Sequence, residues 1–126
     1  MGRAEQKFTI TTEVRKILLD YEPIRTAIGT KVFPVVASEG TEGDFIAYFR
    51  DEYSLDYSKM GITSQRCTIV VSAVSEDYDR SQELARWIFE ALQGDFKDPE
   101  MRIRMIDSTE DFADKKYLQI LKFTIE

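Results

Sequence analysis

The residues of this chain best placed to do chemistry are its carboxylates, which fall into three groups. Glu39, Glu42 and Asp44 stand around Gly40 and Gly43. Glu76, Asp77 and Asp79 precede an apolar, periodic stretch. Asp107, Glu110, Asp111 and Asp114 follow one another near the C-terminal end. Clustered carboxylates can hold a divalent cation or divide general acid–base work between them. Each group also has a plainer reading: a Gly-rich loop, the acidic first turn of a helix, and an acidic turn without the central Gly and closing Glu of a calcium loop. No histidine occurs anywhere. That removes imidazole acid–base catalysis, Ser–His and Cys–His nucleophile pairs and His-ligated zinc, and leaves only Lys- or carboxylate-based chemistry. No Gly-rich phosphate loop, nucleophile elbow or Cys pair is present either. The expectation is therefore a protein that is not an enzyme, with no catalytic residue, no cofactor and no metal.

The remaining polar and aromatic landmarks point to surfaces. Net charge is −6, which argues against a nucleic-acid binder or a protein drawn to anionic membranes, because phosphate contact needs a basic field. No stretch is long and apolar enough to span a bilayer. Residues 1–7 are polar, carry no signal-like apolar region, and are expected to form a disordered tail. Cys67, the single cysteine, sits in a β-branched run and reads as a small buried hydrophobe in a reducing compartment. Arg102 and Arg104 alternate on one strand face, with Arg66 a third basic residue. They form a solvated face or half of an intersubunit ion pair. Trp87 stands among Arg80, Glu83 and Glu90, off the apolar stripe of its helix. It either covers charged stems or anchors a partner.

These residues are positioned by elements legible from periodicity. Residues 63–75 form a long strand with Cys67, Ile69, Val71 and Ala73 on one face, and apolar Val70 and Val74 on the other. The strand feeds a helix capped by Ser75 or Asp77, with a stripe of Leu84, Ala85, Ile88, Phe89 and Leu92 and a stop at Gly94. Before them, residues 8–21 predict a helix with Thr11 or Thr12 as cap and Val14, Ile17, Leu18 and Tyr21 inward. Pro23 ends or interrupts it, and residues 24–28 add a short turn before Gly29. Residues 32–37 read as an edge strand or an extended segment because of Pro34. Residues 38–44 are a loop, and residues 45–53 a strand with Phe45, Ala47 and Phe49 opposite Ile46 and Tyr48. Residues 54–62 are a hairpin tip or a mobile loop; these and residues 38–44 are the internal segments expected to be least ordered. Residues 95–100 link to an alternating strand, Met101, Ile103 and Met105 in, Arg102 and Arg104 out. An acidic turn at 107–114 precedes a last strand, residues 116–125, apolar on both faces.

The 126 residues suffice for one domain. The order predicts an α+β fold: one domain, a sheet of four or five mostly antiparallel strands, and two main helices packed on one face. The strand–helix–strand step through the second helix could add a parallel pair.

The layout also resembles a known family. A first helix ends near Pro23-Ile24-Arg25-Thr26-Ala27-Ile28-Gly29. Lys31-Val32-Phe33-Pro34 follows, then an acidic loop and Phe45-Ile46-Ala47-Tyr48. The long strand leads into Glu83-Leu84-Ala85-Arg86-Trp87-Ile88-Phe89-Glu90-Ala91-Leu92, and a final strand closes the chain. This resembles the tail-completion, or tail-terminator, family of long-tailed bacteriophages and prophages, over roughly residues 17–125. Val35-Val36-Ala37 stands where that family usually has Ala-Pro. The resemblance implies a head–tail joining role without a chemical step. The protein would form a homo-oligomeric ring, usually a hexamer, that ends the tail tube and meets the head connector. Its partners would be itself, the tail-tube protein and connector proteins. Its location would be the bacterial cytoplasm during assembly, then the virion tail. Trp87, Glu83 and Glu90 on the helix, with Arg102 and Arg104 as opposing charges, are the interface candidates, because a ring needs two different complementary surfaces per subunit. The alternatives are head closure in the same particle, or a small carboxylate-based hydrolase or ligand-binding domain.

Overall fold

A computed structural model describes residues 10–34, 43–97 and 100–126. Helices α1 (Ile10–Asp20) and α2 (Glu22–Ile28) lead into strands β1 (Val32–Pro34), β2 (Phe45–Ser58) and β3 (Gly61–Ser75). Helix α3 (Tyr78–Leu92) follows, then β4 (Gly94–Lys97), β5 (Glu100–Ala113) and β6 (Lys116–Ile125). The strands form one sheet in the order β1-β2-β3-β6-β5-β4. Every neighbouring pair is antiparallel except β1 with β2.

Six strands replace the expected four or five, and the sheet is mixed. The parallel pair is not the one through the long helix. The chain leaves β3, runs through α3, and lands on the far edge as β4, antiparallel to β5. Two segments read as loop or turn are strand backbone. Residues 54–58 continue β2 and pair with β3 across the short turn Lys59-Met60, so the hairpin alternative holds. Residues 107–113 continue β5, and the turn shrinks to Asp114 and Lys115 at φ 54 and 63. Consecutive positive φ values give a two-residue hairpin loop the twist of its strands. Of the expected loop 38–44, residues 38–42 lie outside the described residues, as do residues 1–9.

The core has one side. Register places Ile46, Tyr48, Ile69, Val71, Leu121, Phe123 and Ile125 on the same sheet face. They join Ile10, Val14 and Leu18 of α1, Ile24 and Ile28 of α2, and Leu84, Ile88 and Leu92 of α3 in one buried cluster. Spacing at i, i+4, i+8 makes that helical stripe, and each fully buried aliphatic side chain contributes about 1.5–3 kcal/mol. Thr11 and Thr12 lie inside α1 and do not cap it. The helical run is interrupted at Tyr21 as expected, and Pro23 stands in the first turn of α2, where its missing N–H costs nothing. Asp77 caps α3: its side chain accepts from Asp79 N at 3.1 Å, and Ser75 Oγ accepts from Asp77 N at 3.1 Å.

The phase of α3 differs from the sequence reading. Ser81, Leu84, Ile88, Ala91 and Leu92 are buried, whereas Phe89 is 37% exposed. Small residues let the helix approach the sheet closely, and the buried Ser81 hydroxyl is satisfied. It donates to Tyr78 O at 2.6 Å and accepts from Gln119 Nε2 at 3.3 Å. The larger Phe89 is left at the margin.

Candidate assembly surface

Described members of each acidic group find structural work. Asp44 holds Arg80 at 2.8 Å, while Glu39 and Glu42 lie outside the described residues. Asp77 is the α3 cap. The third group is strung along β5. Tyr78 Oη donates to Glu110 Oε2 at 2.7 Å, and Gln119 Nε2 donates to the same oxygen at 2.9 Å. Tyr78 also meets Tyr117 edge-on, and Phe112 leans on Tyr117 with ring centroids 4.8 Å apart. Among the described residues no set of three or more His, Cys, Asp or Glu side chains is gathered as a metal site would need. Cys67 is buried.

Two donors on one oxygen favour the charged carboxylate, so the Tyr78 bond first and the Gln119 bond second hold Glu110 below the ordinary carboxylate pKa. The same contact raises Tyr78 above the usual phenol value. A depressed carboxylate pKa contributes stability above the unfolded-state value, lost as pH falls through the folded one. Tyr78→Phe should move the Glu110 midpoint up toward the ordinary value in a carbon-detected NMR titration. An unchanged midpoint would show that the hydroxyl does not hold it.

The interface candidates are placed as follows. Trp87 does not point away from the core; it is half-buried and packs against the core's margin. Glu83 and Glu90 are exposed on α3, and Glu90 Oε1 accepts from Tyr21 Oη at 2.9 Å. Arg102 and Arg104 lie on the sheet face opposite the helices. Both reach Asp95 of the neighbouring β4, at 3.7 and 2.8 Å, and Arg104 also donates to the carbonyls of Gly94 and Ile103. The helix trio and the arginine pair are thus on different sides of the molecule, with no contact between them in one chain.

Sequence reasoning passed over the exposed apolar side chains of the strands. Ile106 is 55% exposed at a bulge in β5, and Phe112 is 56% exposed beyond it. Phe49 and Tyr57 on β2 are exposed too, and Met60 at the hairpin tip is almost fully so. No apolar alternation continues past Ile106 to signal the β5 residues: the bulge shifts the phase there, and residues 107–111 are polar throughout.

No protein-family model matches the chain, and no curated protein sequence matches it. Among solved structures, a chain of the virion of the native gene transfer agent particle superposes with a TM-score of 0.74. The two share this fold. The match covers 89% of each chain at 14% sequence identity. At that identity the likeness speaks for the backbone arrangement alone.

Proposed function

We propose that this protein is a structural component of a phage-like particle. More closely, it is a tail-completion protein whose ring, a hexamer, ends the tail tube and joins it to the head connector. The observation that carries the reading is the fold shared with a gene transfer agent virion chain over 89% of both chains. The chemistry of the surface agrees with it. Described carboxylates serve as a helix cap, ion-pair partners and strand-amide acceptors, and the described large apolar side chains left exposed, apart from Tyr78 and Phe89 on α3, lie on β2, on β5 and at a hairpin tip, where another chain can cover them. A ring places different surfaces of successive subunits together. Trp87, Glu83 and Glu90 on the helix side and Arg102 and Arg104 on the sheet side are two such surfaces. No chemical step is involved. The protein acts in the bacterial cytoplasm during assembly and remains in the virion tail.

Electron microscopy of purified protein mixed with the tail tube tests this. A ring at one end only of each tube, with tubes that stop lengthening, is the expected image. Bare tubes, with the protein found instead on the head vertex, would transfer the assignment to head closure.

A further inference from the structure

Among the described residues, the short outer strands leave most of the sheet's two edges unpaired. β1 covers only Ile46 to Tyr48 of β2, and β4 covers only Glu100 to Ile103 of β5. Among the described residues no strand pairs with the outer side of residues 49–58 or of residues 104–113, two open edges of equal length. Among the described residues, Tyr78 and Phe89 are the only exposed large hydrophobics that lie away from these edges and the hairpin tip that continues one of them. The geometry points to a second copy of this chain as the partner of both edges: the β5 edge of one subunit pairs with the β2 edge of the next, antiparallel, in a head-to-tail contact. This deepens the proposed ring and rests on it.

Three features select a second copy. The first is direction. Along the order β2-β3-β6-β5 every step is antiparallel, so β2 and β5 run oppositely. Rotation about an axis in the general direction of the strands preserves that sense, and juxtaposed edges are antiparallel without inversion of the subunit. The second is height. The middle of the β2 edge, near Tyr53, is level with Cys67, Ile125 and Ile103. The middle of the β5 edge is about five residues further along, roughly 17 Å at ~3.4 Å per residue. Four strand spacings of about 4.8 Å separate one β2 from the next, some 19 Å. Matching the edges then needs strands inclined by about 40° to the ring axis, within the ~35–45° range of closed barrels. The third is termination. Under this offset β4 lies beyond one end of the shared segment and β1 of the neighbour beyond the other, so the two short strands frame the junction.

The β5 edge is guarded until then. The two-residue turn makes Ala113 and Lys116 a hydrogen-bonded pair, so residues 108, 110 and 112 aim their amides outward. Ser108 N donates to Asp107 Oδ1 at 2.9 Å and Phe112 N to Asp111 Oδ1 at 2.8 Å; Met105 N donates to Gln93 Oε1 at 2.9 Å. Side-chain caps and acidic charge keep an open edge from indiscriminate pairing, and an incoming strand can displace them.

Ser108→Pro is the test. It deletes an outward amide that makes no ladder bond within the chain, and proline is tolerated on that side of an edge strand. Sedimentation and circular dichroism should show a variant folded like wild type whose self-association is at least about thirty-fold weaker. Ile106→Lys, at an exposed bulge, should do the same, and decides the matter if the proline variant fails to fold. Wild-type self-association by either folded variant overturns the pairing, as does a wild-type protein that stays monomeric at every concentration. The two readings fail separately. Rings that lose subunits in Ser108→Pro but do not cap tubes retain the edge contact and remove tail completion. Tubes capped equally by wild type and Ser108→Pro do the reverse.

Discussion

Phe123→Ala should destabilise the protein by about 3–5 kcal/mol, the range for removing a fully buried aromatic ring. Phe123 is fully buried on β6, the strand flanked by β3 and β5. Ile69 and Met105 stand opposite it on the two neighbouring strands. The loss combines the transfer free energy of the ring with a cavity that a sheet held by ladders on both sides cannot close. Against a total stability of about 5–15 kcal/mol for an ordinary domain, that is a large share. Phe123→Leu keeps most of the volume and should cost roughly 1.5 kcal/mol or less. Urea unfolding followed by circular dichroism measures both, with an unchanged denaturant slope if the unfolded state is unaltered. An alanine variant within about 1 kcal/mol of wild type would mean that this row is not the centre of the core.

The core rows were legible because β3 and β6 alternate strictly. Cys67, Ile69, Val71 and Ala73 face the helices, and so do Leu121, Phe123 and Ile125, as period two requires. β6, apolar on both faces, takes a central place between β3 and β5, with Leu121, Phe123 and Ile125 on its buried face. The α3 cap was legible too, since Ser75 and Asp77 each cap an amide there. What sequence could not show is how polar stretches are carried along by their neighbours. Asp107 to Asp111 is turn-like in composition, yet it is zipped to β6 on one side and satisfied by its own carboxylates on the other. Likewise residues 54–58 hold strand backbone because β3 continues opposite them. The fold class therefore survived, while the strand count and the lengths of β2 and β5 did not. The exposed apolar side chains on the added strand backbone, Tyr57 and Phe112, were hidden with it.

The helix phase supplies the second large effect. The sequence stripe put Phe89 inside and Trp87 out; the structure half-buries Trp87 and leaves Phe89 at the margin. Trp87→Ala should therefore cost about 2–3 kcal/mol, less than a fully buried tryptophan because part of the indole is already in water. Phe89→Ala should cost less, about 1–2 kcal/mol, having less surface to lose. If Trp87 also stands at a subunit boundary, its loss weakens ring formation by a further ~2 kcal/mol, read from concentration-dependent mass on protein that is still folded. Removing Trp87 also removes the chain's only tryptophan, so unfolding is followed by circular dichroism. A Trp87→Ala protein as stable as wild type beside a Phe89→Ala protein that unfolds would require α3 to be turned about its axis. Ser81 and Ala91 would then lose the contact with the sheet that lets the helix lie close to it.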